Sequence, residues 1–457
     1  MRLSVFLVLA LAAAPAVAQS DAVVRVRLMS TAALSEVDVA PVGGPGTLWV
    51  DGGRVAELEP GTSISLSRSG SEVRVSWSGG DYRGRTVEVE AGEVGLRAGR
   101  TDRRYPGRLA ARADGRALQL VNHAPVEPYV ASVVASELGF PEIEAAKAQA
   151  VLARTYAARR RGAQPDYDLD DDQRSQVYRG LSTVTATSQR AAQETAGQVL
   201  TYRGEIADAY YFSSSGGHTA DNESLWAGAP VPYLRGVPDP YDDASPDHSW
   251  RTTAPRDRVL RALSDRFGGR VEAVEVARRS PKGRVLSVRL VGGRTPTITG
   301  TQLRQAVNAA IGARTVRSTQ YDVSTDGDQL VFTGGGFGHG VGMSQYGALG
   351  QARAGRGYRE ILAFYFTGTD VSAGAPALVA QSGRVGEDVP RRPGAGAPAE
   401  RTSALRTRYR PPSGRSRPTP RNQADVEPID PAPTTASRPA PAPRVTPTAR
   451  APRRTAW

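Results

Sequence analysis

Between Val126 and Arg160 the sequence abandons the alternation of its first hundred residues for two helical periods separated by a break, and this stretch constrains the fold most. At about 100° per residue, Val126, Tyr129, Val130, Val133 and Val134 fall on one apolar face. Glu137 lies about 20° from Val126 on that projection, inside the face that should be buried. Gly139 is placed to end the first helix in a left-handed conformation, and Pro141, Glu142 and Glu144 suit the first turn of the next. The second helix is rich in alanine (Ala145, Ala146, Ala148, Ala150, Ala153), so a neighbouring element can approach its backbone closely. Gln149 and Arg154 on this helix are candidates to orient a group nearby.

A carboxylate among valines loses hydration, and two outcomes follow. In one, Glu137 pairs with a buried arginine and only holds the helices together. In the other, it lines a cleft with its pKa raised, which makes it a general acid.

The ends of the chain differ from its middle. Arg2, an apolar run from Leu3 to Ala14, and Ala16-Val17-Ala18 before Gln19 form an export signal over residues 1–18. No stretch approaches the ~20 apolar residues of a membrane-spanning helix, so the mature chain is expected to be soluble. The chain has no cysteine, which excludes disulfide staples, thiolate zinc sites and a lipid anchor on cysteine. The net charge of +12 suggests nucleic acid at first, yet residues 391–457 carry 14 arginines against 4 acidic residues, leaving the body nearly neutral. That segment is dense in proline and alanine with few large apolar side chains, the composition of a disordered tail over 373–457. Its charge fits anionic envelope polymers or membrane headgroups, or it acts only as a solvated spacer. Nucleic-acid binding ranks last.

The fold class expected is α+β: a strand-rich framework over residues 19–100 and a domain over 101–372 that contains the helical pair. Val24–Leu28, Ser63–Leu66 and Val73–Trp77 alternate as half-buried strands between glycine-rich turns. Further strands near Arg108–Ala110 and Ala117–Leu120 lead into the first helix. Residues 254–331 read as a mixed α/β insertion, with helices near 256–266 and 302–311 and strands at 271–276, 285–291 and 329–332.

Three other stretches look chemical. The acidic run from Asp166 to Asp172 lacks the glycine and terminal glutamate of an EF-hand loop, so a solvated loop is favoured over a hard-cation site. Gln176 and Tyr178 follow it. The second stretch runs Tyr210-Tyr211-Phe212-Ser213-Ser214-Ser215-Gly216-Gly217-His218, where a strand ends in hydroxyl residues and glycines that can meet a polar ligand or simply turn. Ser214 or Ser215 beside His218 raises a serine nucleophile only weakly. The third, Gly338-His339-Gly340-Val341-Gly342-Met343-Ser344-Gln345, fits neither a phosphate loop nor a nucleophile elbow. It is either a tight strand-to-helix turn or a substrate-binding segment.

Taken in order, Val121-Asn122 through Arg154-Thr155-Tyr156, then Ser213 to Gly217, then Gly338 to Gln345, with Gly357-Tyr358 through Gly368-Thr369 at the end, resemble the SpoIID/LytB domain family. The resemblance implies an exported protein of the periplasm or extracellular envelope acting on peptidoglycan. Members similar to stage II sporulation protein D are lytic transglycosylases that cut glycan strands stripped of their stem peptides, with a catalytic glutamate in a Ser-Glu motif, here Ser136-Glu137. Substrate binding would then fall to Gln149, Arg154, Gln176, Tyr178, Ser214, Ser215, His218, His339, Ser344 and Gln345. No cofactor is implied. Some members bind zinc near the Gln-Val-Tyr segment, whereas Asp172, Gln173, Arg174 and Ser175 stand there, so no metal is expected. Leu138-Gly139-Phe140 also replaces the proline and tryptophan often seen after the glutamate. The alternative from the same resemblance is a non-catalytic glycan-binding module that enhances a cell-wall amidase.

Overall fold

The amino-terminal alternation becomes one ten-stranded sheet in the computed structural model, which describes residues 22–373 apart from 227, 294 and 295. The expected signal at 1–18 and the tail beyond 373 lie outside the described residues. The strands are β1 (Val23–Leu28), β2 (Glu36–Val50), β3 (Gly53–Leu58), β4 (Ile64–Ser69), β5 (Glu72–Trp77), β6 (Gly80–Gly84), β7 (Thr86–Ala98), β8 (Thr101–Asp114) and β9 (Ala117–Pro125). They are followed by helices α1 (Val126–Glu137) and α2 (Ile143–Arg159), then β10 (Leu169–Asp170). The order is β10-β1-β9-β8-β7-β2-β4-β5-β6, with β3 paired to β2. Register shifts between Val42 and Gly46 in β2 and between Ala91 and Glu93 in β7 lie at one level of neighbouring strands. Stacked bulges of this kind bend a sheet, and β4 and β5 come back over β8 and β9. Val26, Leu48, Ile64, Val75, Val89 and Leu109 fill the enclosed core.

The sheet delivers α1 without a loop. Pro125, opposite Val23, ends the ladder between β9 and β1, and the Val126 N–H bonds the Ala22 carbonyl at 3.2 Å. The expected face of Val126, Tyr129, Val130, Val133 and Val134 is buried. The helix does not end as expected: Leu138, extended at φ −123°, closes it, and Gly139 is not left-handed. Helix α2 begins after Glu142 at its N-cap, so Pro141 precedes its first turn.

The acidic run is spent on arginines. Asp166 pairs with Arg112, Asp168 with Arg25, Asp170 with Arg27 and Asp172 with Arg174, at 2.7–2.9 Å. These contacts fix β10 beside β1 in parallel register, Val26 opposite Leu169. A solvated acidic loop is therefore not what forms. Among the described residues no group of three or more His, Cys, Asp and Glu could hold a metal ion.

Next come α3 (Ala186–Glu194), β11 (Gln198–Tyr202), β12 (Glu205–Ile206) and β13 (Tyr211–Phe212). The insertion contains β14 (Trp250–Pro255), α4 (Arg256–Phe267), β15 (Val271–Arg279), β16 (Val285–Gly292), β17 (Thr297–Thr299), α5 (Gly300–Ala310), β18 (Tyr321–Asp326) and β19 (Gln329–Gly334). It has its own core, built on Trp250, Val259, Leu263, Val288, Leu303 and Phe332. The body closes with β20 (Met343–Ser344), α6 (Gln345–Arg353), α7 (Tyr358–Tyr365) and β21 (Asp370–Ala373). The α+β class read from the sequence is what the chain adopts. Among the described residues no helix is long and apolar enough to cross a membrane.

Candidate active site

Glu137 is the last residue of α1, and three separate stretches of sequence converge on it. From the segment after the acidic run, the Val177 N–H donates to Glu137 Oε1 at 2.7 Å. From β13, the Tyr211 hydroxyl hydrogen-bonds the same carboxyl group. From the start of α6, Gln345 Nε2 donates to the Glu137 main-chain carbonyl at 3.0 Å. Behind this first contact runs a relay. Tyr129 Oη donates to Gln176 Oε1 at 2.8 Å, and Gln176 Nε2 donates to Tyr211 Oη at 2.9 Å. Because Tyr211 accepts from Gln176, its own proton is left for Glu137.

Burial raises the Glu137 pKa, opposed by the Val177 N–H, the Tyr211 hydroxyl and the Arg179 charge. The carboxyl group faces a cleft of about 330 Å³ whose walls include Tyr156, Tyr210, Tyr211, Phe212, Phe337, His339 and Arg304. Glu137 is the one carboxylate among the described residues lining it. The acidic residues at 166–172 do not line it: four are held by their arginines and Asp171 by the Met29 N–H at 2.9 Å.

The buried-arginine pairing weighed for Glu137 exists, but Glu127 has it. Arg154, 0 % exposed, bonds both Glu127 oxygens, at 3.0 and 2.5 Å, and the Gln198 carbonyl at 3.0 Å. This pair ties α1 to α2, neither residue lines the cleft, and Glu137 keeps its own environment.

The glycine-rich motifs build the opposite wall. β13 and β20 pair in parallel, Tyr211 with Met343 and Phe212 with Ser344, and Ser214 bridges to Phe337. Gly342 sits at φ +80°, where a Cβ would come within 2.1 Å of the Tyr210 carbonyl. Only glycine permits that approach. At the centre lies Asp242, wholly buried. Its Oδ1 accepts from the Ser215 N–H at 3.0 Å and Ser344 Oγ at 2.8 Å. Its Oδ2 accepts from Ser214 Oγ at 2.7 Å and the Gly216 N–H at 3.0 Å.

The residues named from sequence therefore divide. Glu137, His339 and Gln345 line the cleft, and Gln176 stands behind it. His339 donates from Nε2 to the Tyr211 carbonyl at 2.9 Å, which leaves Nδ1 to accept from the Val341 N–H at 3.2 Å. Ser214 and Ser344 give their hydroxyls to Asp242 and Ser215 its main-chain N–H, the Ser215 Oγ accepting from the Gly217 N–H at 3.2 Å, and Ser344 also caps α6 through the Gly347 N–H at 3.1 Å. Tyr178 is core, its hydroxyl donating to Asn122 Oδ1 at 2.7 Å. Gln149 is buried in α2, its amide atoms without partners among the described residues. His218 Nδ1 bonds the Thr219 carbonyl at 2.7 Å, while Ser214 Oγ is given to Asp242, so no Ser–His pair forms. Tyr211, Tyr156, Asp242 and Arg304 were not singled out from sequence. Strand alternation could have found Tyr211, two residues before Ser213 on the same face. No pattern marks Asp242 or Arg304.

Residues 114–202 match the family model described as stage II sporulation protein, and residues 241–342 match a domain of unknown function. The chain is 32% identical over 272 residues to the stage II sporulation protein D of Bacillus subtilis (strain 168), spanning 56% of this chain and 76% of that protein. The protein of the same name from Bacillus amyloliquefaciens is 31% identical over 274 residues, 55% of this chain and 75% of its own length. The amidase enhancer of Bacillus subtilis (strain 168) is 30% identical over 278 residues, covering 50% of this chain and 38% of that protein.

Proposed function

Because this chain belongs to the stage II sporulation protein D family, we propose that it is an exported cell-wall enzyme, a lytic transglycosylase acting on peptide-stripped glycan strands with Glu137 as its acid and base. The observation that carries this reading is the single carboxylate of the cleft, buried enough to have its pKa raised and held in place by Val177 and Tyr211.

The chemistry needs no second carboxylate. Protonated Glu137 gives its proton to the oxygen joining N-acetylmuramic acid to N-acetylglucosamine, and the bond to C1 breaks through an oxocarbenium-like transition state. The muramic 6-hydroxyl oxygen then bonds C1 and its proton passes to the Glu137 carboxylate, which returns to the acid form. The products are a free 4-hydroxyl on one fragment and a 1,6-anhydro ring on the other, with no water consumed. Hydrolysis would ask for another carboxylate about 5–9.5 Å away. Tyr211 and Val177 fix the carboxyl in place and donate most strongly when it is charged, which favours the first proton transfer. Tyr156, Tyr210 and Phe337 give the cleft an aromatic lining against which a sugar ring can pack.

Similarity to an amidase enhancer supports the second reading, a glycan-binding module that assists a separate amidase. Glu137→Gln separates the two: the enzyme reading expects glycan binding kept and cleavage lost, and cleavage undiminished in the variant refutes the assignment.

A further inference from the structure

One wall of the cleft comes from outside the segment that bears Glu137. Arg304, in α5 of the insertion, lines the same cleft. Its Nε donates to the Val316 carbonyl at 3.1 Å. Its two terminal nitrogens have no hydrogen-bond or ion-pair partner among the described residues, although arginines elsewhere in the body are paired with Asp or Glu repeatedly. Burial lowers its pKa with no neighbouring anion to offset the effect. A half-buried guanidinium with its fork free inside a cleft is built for a ligand anion, and its planar donors match a carboxylate in two parallel bonds.

The insertion holds Arg304 firmly. Buried Arg284 donates to the Ser215 and His218 carbonyls at 3.3 and 2.9 Å, and Lys282 pairs with Asp221 at 2.9 Å. Trp250 Nε1 reaches the Gly336 carbonyl at 2.9 Å. The insertion is thus docked against the glycine-rich wall before any ligand arrives, and the Nε bond to Val316 ties Arg304 to it, which limits the ordering cost of binding.

We propose that Arg304 is the specificity-determining residue that reads the free lactyl carboxylate of a muramic acid residue in the cleft. This rests on the glycan reading of the same site. In a strand that still carries its peptide, that carboxylate is an amide: it has lost its charge and one acceptor oxygen, so the fork has less to bind. Arg304 then makes the enzyme prefer stripped strands by attraction.

The test uses two muramic-acid-containing tetrasaccharides, one with free lactyl carboxylates and one with them converted to N-methylamides, binding to residues 19–457 carrying Glu137→Gln so that nothing is cleaved. The free acid should bind about 10- to 100-fold more tightly, the range of charge-assisted hydrogen bonds. Adding Arg304→Gln should bring the ratio near one by weakening the acid alone, and Arg304→Lys should keep part of it. An unchanged ratio in Arg304→Gln, an equal loss for both sugars, or no preference before mutation would overturn the proposal. Product analysis of unmutated protein reads the other claim separately. Absent anhydro ends with the binding ratio intact would remove the lytic reading and leave the carboxylate site standing. Anhydro ends with no Arg304-dependent ratio would do the reverse.

Discussion

Replacing Asp242 by asparagine should unfold the wall opposite Glu137, although the two side chains have nearly the same shape. Each oxygen of this buried carboxylate accepts one main-chain N–H, Oδ1 from Ser215 and Oδ2 from Gly216, both at 3.0 Å. Whichever way the amide is placed, its NH2 group meets a main-chain donor that cannot turn away. The serine hydroxyls at 2.7 and 2.8 Å can rotate to compensate only in part. One orphaned buried donor costs about 1–3 kcal/mol, and the remaining bonds fall from charge-assisted strength, about 1.5–3 kcal/mol, towards the neutral value of about 1 kcal/mol. Together these give a loss of about 3–5 kcal/mol, a large share of the roughly 5–15 kcal/mol that holds an ordinary domain. Urea unfolding followed by tryptophan fluorescence measures it, with Trp250 bonded to Gly336 at the edge of the same loop as a local reporter. A loss below about 1 kcal/mol, the size of an unremarkable substitution, would refute the view that Asp242 organises the two motifs.

Three further outcomes follow from the same geometry. Tyr211→Phe removes a donor that favours the ionised carboxylate, so the Glu137 pKa should rise further. Since the first step needs the protonated acid, the alkaline limb of the pH–rate profile should move to higher pH while kcat falls. A limb that moves to lower pH would contradict the assigned hydrogen bond. Glu127→Ala leaves Arg154 charged and 0 % exposed with only carbonyl partners, and should destabilise the chain by about 3 kcal/mol. Glu127→Leu combined with Arg154→Met should recover most of that in thermal unfolding, whereas a pair of additive losses would count against the desolvation argument.

The first helix was legible because its apolar face repeats at helical spacing, and Glu137 stood out as the exception on that face. What the sequence could not show was which of two nearby glutamates would take the buried arginine. Glu127 stands in the first turn of α1 and Glu137 at its last residue, and only packing decides which of them Arg154 meets. The strands β2 and β7 were missed because their bulges place Gly43, Gly44 and Gly92 where alternation should continue. The end of α1 was misjudged because Leu138 turns extended and makes a left-handed glycine unnecessary. The serine motifs looked like ligand contacts because hydroxyls and glycines serve both purposes. Their partner, Asp242, lies in an acid-rich loop with no periodicity to single it out. Arg304 was invisible for a similar reason: it stands in a helix with its own core, and only the insertion's docking brings it into the cleft.

The central claim is that Glu137 cuts the strand by handing one proton out and taking another back, with the muramic 6-hydroxyl in place of water. Mass spectrometry of purified peptide-free glycan strands incubated with the protein tests it most directly. The account predicts fragments ending in 1,6-anhydro-N-acetylmuramic acid, absent with Glu137→Gln even where that variant still binds the strands. Reducing ends that take up oxygen-18 from labelled water, or anhydro ends that persist in the variant, would contradict it.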